Sequence, residues 1–133
     1  MLKLIDDLKK ENSAIVNTLD AVKTLGINSK EGREKLLTAK TTFLEHLKKE
    51  GKKLYPILRK SAKNNDELKT KLDEFGKDMD KVSKIALYFF NRYSNGGSGF
   101  EFRLDFERLY ESLKVRILNE ESVLYKEYEK YVN

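Results

Sequence analysis

The stretch FLEHLKKEGKKLYPIL, residues 43–58, decides how the rest of the chain is read. It holds the only histidine, His46, and four residues later Glu50. On a helix, positions i and i+4 share a face one turn apart. At about 100° per residue, Phe43, Leu47, Leu54, Ile57 and Leu58 fall on the same arc as His46 and Glu50. An imidazole and a carboxylate therefore sit inside an apolar stripe. Burial there is costly unless the two groups are paired or bind a metal.

Helical spacing extends on both sides of this stretch. Residues 2–25 carry Ile5, Leu8, Ile15, Val16, Leu19 and Val22, with Asn12 in the middle of the stripe. Gly26 stands where a left-handed residue would close that helix, and Ser29 where an N-cap would open the next. The second helix is expected over residues 30–62, with a bend near Lys52 and Lys53, one turn before Pro56. Asn64, Asn65 and Asp66 signal a turn and cap. A third helix, residues 66–93, shows Leu68, Leu72, Phe75, Val82, Ala86, Phe89, Phe90 and Tyr93 around Met79. SNGGSG at 94–99 reads as a loop, without the strand and lysine of a phosphate-binding P-loop. The fourth helix, residues 101–131, carries Phe102, Phe106, Leu109, Leu113, Ile117, Leu124 and Tyr128. Inside its stripe lie Arg116 and, four residues on, Glu120.

The two halves of the chain resemble each other. His46, Glu50, Leu54 and Tyr55 align without a gap on Arg116, Glu120, Leu124 and Tyr125, and Asn12 with Ile15 aligns on Met79 with Val82. Each half is a helical hairpin, and short connections make consecutive helices antiparallel neighbours. The expected fold is all-α: one domain over residues 1–133, an up-down-up-down four-helix bundle. Asn12, His46 with Glu50, Met79, and Arg116 with Glu120 then meet near one level of its interior.

Composition removes several classes of function. A chain of 133 residues with 39% hydrophobic and 37% charged residues suits one domain of long amphipathic helices. With no cysteine there is no disulfide, zinc-thiolate site or thiol nucleophile. The charged start MLKLIDDLKKEN lacks a secretory h-region, and no apolar run reaches the roughly 18 residues of a membrane span. The expectation is a cytoplasmic protein without membrane contact. Its net charge of +5 comes from lysines spread over all the helices, which argues against a nucleic-acid partner.

With these residues in place, the chain resembles a hemerythrin-like domain, also called the HHE cation-binding domain. The segments carrying the resemblance are LKKENSAI (8–15), HLKKEGKKLYPIL (46–58), FGKDMDKV (75–82) and RILNEESVLY (116–125). It implies a four-helix bundle in which histidines from all four helices and two glutamates hold a non-haem di-iron centre responsive to oxygen, nitric oxide or iron. Here only His46, Glu50 and Glu120 match expected ligand positions, while Asn12, Met79 and Arg116 stand where the pattern has histidine. Imidazole and carboxylate suit iron, thioether suits softer metals, and arginine cannot ligate. The ligand set argues against two irons.

Three readings follow. In the first, the metal site is degenerate: Arg116 supplies the missing positive charge to Glu50 and Glu120, and the protein is a non-catalytic binding or regulatory module with no cofactor. In the second, His46, Glu50 and Glu120, with the Asn12 amide oxygen as a further ligand, hold a single Fe, Mn or Zn ion. The third, an enzyme, ranks last because no nucleophile–base pair is visible. A guanidinium beside a divalent ion opposes binding in a low-dielectric core, which favours the first. Met79 reads as a gap-filling core residue. Tyr55 and Tyr125 lie well off the His46 and Arg116 directions and are placed outside the site. A protein partner is the expected kind, and the chain is expected to be a monomer or weak dimer.

Overall fold

The computed structural model describes residues 2–97 and 99–132. Among them there are four long helices and no strand. Helix α1 is Leu2–Leu25; α2 starts as Lys30–Lys49, passes through a π-turn at Glu50–Leu54 and continues as Tyr55–Ser61. A 3₁₀ turn, Ala62–Asn64, leads into α3, Asp66–Arg92. Helix α4 is Gly99–Asn119, a second π-turn at Glu120–Leu124, and Tyr125–Val132. The loop expected at 94–99 includes Ser98, which lies outside the described residues.

The caps follow the side-chain chemistry expected of them. Gly26, at φ +72°, ends α1 with its N–H on the Val22 carbonyl at 2.8 Å. The Ser29 hydroxyl accepts from the Gly32 N–H at 3.0 Å and opens α2. A Cβ at Gly32 would fall 1.6 Å from the Gly26 carbonyl oxygen, so the connection closes only with glycine there. Asn65 caps α3 by accepting from the Leu68 N–H at 3.1 Å.

Helix α1 packs along α2, and α3 along α4; the Tyr55–Ser61 part of α2 also meets the Tyr125–Val132 part of α4. The buried apolar side chains form two clusters. One gathers Ile15, Leu19, Val22, Leu36, Phe43, Val82, Phe89 and Leu113 among others. The other gathers Ile5, Leu8, Leu54, Leu58, Leu68, Leu72, Leu124 and Tyr128. Asn12, His46 with Glu50, and Arg116 with Glu120 fall on their helices between the residues given to one cluster and those given to the other, and all five are buried. A polar layer thus interrupts the core.

Both π-turns lie in that layer. In each, the N–H five residues on reaches back: Tyr55 donates to the Glu50 carbonyl, and Tyr125 to the Glu120 carbonyl. Where Pro56 leads one to expect a bend near Lys52 and Lys53, the helix has a π-turn over Glu50–Leu54, and proline is not the cause common to both π-turns. The equivalent turn in α4 forms with Lys126 in the corresponding place.

Candidate functional site

Helix α2 brings His46 and Glu50 into the layer, and α4 brings Arg116 and Glu120. The guanidinium of Arg116 is only 3% exposed and points inward. Its Nη2 donates to Glu120 Oε2 at 3.1 Å and lies 4.0 Å from Glu50 Oε1. His46 Nε2 lies 3.4 Å from Glu50 Oε2 and 3.9 Å from Glu120 Oε1. Neither contact has hydrogen-bond geometry: among the described residues His46 Nε2 has no hydrogen-bond partner, and neither has Glu50 Oε1, 4.0 Å from Arg116 Nη2, so the attraction between the ring and these carboxylates is ionic. Two cations and two carboxylates are interleaved, which allows a neutral cluster.

Each inner cation has a second acid on its outer side. His46 Nδ1 meets Glu11 Oε1 at 2.9 Å, and Glu11 is held in turn by Lys49. Arg116 Nη1 meets Asp78 Oδ2 at 3.5 Å. Glu11 directly precedes Asn12, and Asp78 directly precedes Met79, so the two halves repeat this arrangement: acid on the first helix, cation on the second. Neither acid was singled out from sequence. They lie beside the apolar stripes rather than in them, and the signal that locates them is the internal repeat. Met79 itself is half-buried; the contribution of α3 to the cluster is Asp78.

The two tyrosines correct the sequence reading. The Tyr125 hydroxyl donates to Glu50 Oε2 at 3.0 Å and accepts from Asn12 Nδ2 at 3.2 Å. The Tyr55 hydroxyl accepts from Arg116 Nη2 at 3.5 Å. On a regular helix a residue five positions after each glutamate would point about 140° away. The π-turn absorbs one residue and returns the tyrosine to the glutamate's face. Asn12 is in the layer as expected, with its amide nitrogen committed to Tyr125.

Electrostatics follow from this crowding. Burial works against a charge on His46, but Glu120 and Glu50 outweigh it and hold the imidazolium up to about 10. With carboxylates, which only accept, at both ring nitrogens, the ring carries both protons. Burial pushes the Glu120 carboxyl up to about 7, with the Glu50 charge adding to the push against His46 and Arg116. Burial acts likewise on Glu50, yet its contacts with His46 and Glu120 and the charge of Arg116 leave its carboxyl below the usual range. Burial raises the Tyr125 hydroxyl strongly, so it stays a proton donor. Burial opposes the charge on Arg116 as well, and the Glu120 carboxylate more than offsets it.

One ligand atom from each of His46, Glu50 and Glu120 lies within 4.8 Å of the others, and the three residues are buried. That donor set suits one borderline or hard cation. It does not suit two, because the sequence offers one imidazole and the guanidinium of Arg116 occupies the space beside both carboxylates. A cavity of about 10 Å³ beside Asn12, His46, Arg116 and Glu120 has room for about one water.

No family model matches the chain, and no curated protein or solved structure matches it either. Among the described residues, no helix is long and apolar enough to cross a membrane.

Proposed function

We propose that the chain is a hemerythrin-like bundle in which protein cations have taken the place of metal, and that it serves as a non-catalytic binding or regulatory module. The observation that carries this is Arg116, buried and 3.1 Å from Glu120 where the resemblance calls for a ligand. A permanent positive charge there neutralises the carboxylates and opposes a divalent ion. With Glu11 on one ring nitrogen and Glu50 facing the other, a metal would have to displace a proton from His46. The up-down-up-down order belongs to the same reading. It is supported by α1 and α3 running from the Leu8 and Leu72 cluster toward the Phe43 cluster, while α2 and α4 run the other way.

Metal analysis by plasma mass spectrometry, on protein expressed in iron-rich medium, tests the proposal. The expected stoichiometry is near zero, with a colourless protein. A value near two, with a visible charge-transfer band that bleaches on reduction, would overturn it. A value near one would move the assignment to a second reading, a single Fe, Mn or Zn ion on His46, Glu50 and Glu120. That reading is favoured by the convergence of three buried ligand atoms and by the unbonded His46 Nε2 and Glu50 Oε1. It requires Arg116 to swing outward and His46 to lose a proton.

A further inference from the structure

Far from the buried layer, a cleft of about 270 Å³ lies between the first three turns of α2 and the end of α3. Part of its lining is apolar: Leu36, Leu37 and Phe90, of which Leu37 is 62% exposed. The rest is mostly cationic. Lys30, Arg33 and Lys40 stand against one acid, Glu34, which lies 4.0 Å from Lys30. Arg33 and Lys40 are half-buried, yet among the described residues neither has a carboxylate within ion-pair reach. Lysine and arginine stems cover apolar surface readily while their charged heads stay wet. A cleft bordered by them offers an apolar interior and a cationic rim.

Arg33 is also held in place. Its Nη1 donates to the Ile27 carbonyl at 3.3 Å and to the Asn28 carbonyl at 3.1 Å. Asn28 Oδ1 accepts from the Gly97 N–H at 3.2 Å, which ties the connection before α2 to the one after α3. These contacts use Nη1; the other guanidinium donors have no acceptor among the described residues. A cation fixed before its ligand arrives loses little freedom on binding, and the planar guanidinium matches a carboxylate.

We propose that this cleft binds a compact amphipathic carboxylate, with its hydrocarbon body on Leu36, Leu37 and Phe90 and its anionic group at Arg33, in the field of Lys40 and Lys30. Both halves of the lining are needed for that choice. An apolar cleft alone would take a neutral hydrocarbon as well, and a cationic rim alone would take inorganic phosphate. The volume sets the size, since it falls below the roughly 300–1,000 Å³ of sites for drug-sized ligands. Arg33 lies 13 residues before His46, about 20 Å along α2, so binding here does not depend on whether the polar layer holds a metal.

The test is a proton–nitrogen NMR titration of the full chain with 2-naphthoate, with naphthalen-2-ylmethanol, which has the same body and no charge, and with inorganic phosphate. The naphthoate should shift the amides of Leu36, Leu37, Lys40 and Ser94 to saturation and leave that of His46 in place. The alcohol and the phosphate should each bind about tenfold more weakly or worse, the loss of one charge-assisted contact. Arg33→Gln should weaken naphthoate binding by about tenfold or more, and Lys40→Gln, a charge at the rim, by about threefold. Leu37→Asp should abolish it without changing the melt, because that side chain is exposed. Lys35→Gln removes the same charge from an exposed site of α2 outside the cleft and should leave binding as it was. No saturable shift with naphthoate overturns the proposal. So does equal binding of the alcohol or the phosphate, a Leu37→Asp variant that binds normally, or a loss for Lys35→Gln as large as that for Lys40→Gln.

Discussion

Arg116 illustrates how much one side chain can decide inside a low-dielectric layer. Its guanidinium faces Glu120, Glu50, Asp78 and the Tyr55 hydroxyl from one position. Removing one member of such a cluster leaves the others buried without compensation, which costs on the order of 3–5 kcal/mol. Arg116→Ala should lower stability by about that amount in urea or thermal melts. Arg116→His should behave differently on addition of Zn or Fe. It removes the opposing charge, puts an imidazole one turn from Glu120, and should show a rise in melting temperature that the parent lacks. A loss no larger than about 0.5 kcal/mol for Arg116→Ala, the usual size at a surface position, would mean that the cation is not held inside. The members found by helical spacing alone were Asn12, His46, Glu50, Arg116 and Glu120, because each interrupts an apolar stripe. Glu11 and Asp78 were not found, because a half-exposed acid next to a stripe looks like any solvated residue until its partner across the bundle is known.

At the scale of the helix, the two π-turns explain why the tyrosines were misplaced. Counting at 100° per residue assumes an unbroken α-helix, and both Glu50–Leu54 and Glu120–Leu124 break it by one residue. The misreading falls on the residue just past each break, Tyr55 and Tyr125. The four helices themselves were legible, since caps at Ser29 and Asn65 and the left-handed Gly26 mark their ends in the sequence. The extra residue in each turn makes a direct prediction. Deleting exposed Lys52 should convert the turn to regular α-helix, keep Tyr55, Leu54 and Leu58 on their present faces, and leave a cooperative melt. Deleting exposed Thr41, in the regular part of the same helix, should rotate the segments on either side by about 100° relative to each other and abolish cooperative melting. Equal damage from the two deletions would show that the π-turn does not carry the register.

At the scale of the whole molecule, the polar layer divides the buried apolar residues into two clusters and ties stability to protonation. His46 has a folded value of about 10 against 6.5 when unfolded. Its contribution is therefore complete below pH 6.5 and is lost as the pH rises through about 10. Glu120 is raised from 4.5 to about 7, so the folded state favours its protonated form, and that contribution fades between those values as the pH rises. Glu50 is lowered, so its contribution is present above 4.5 and is lost on acidification. Across the range from about neutral to about pH 9, roughly one unit below the titration of tyrosine in the unfolded chain, His46 is the group among these whose proton count differs most between the two states. The melting temperature should fall steadily across that window. His46→Gln should be less stable at neutral pH, because it removes the cation that faces Glu50 and Glu120, but its stability should change far less with pH. A parent protein whose melting temperature is flat across the window, or a His46→Gln variant that keeps the full slope, would show that the ring is not the buried imidazolium that balances this cluster.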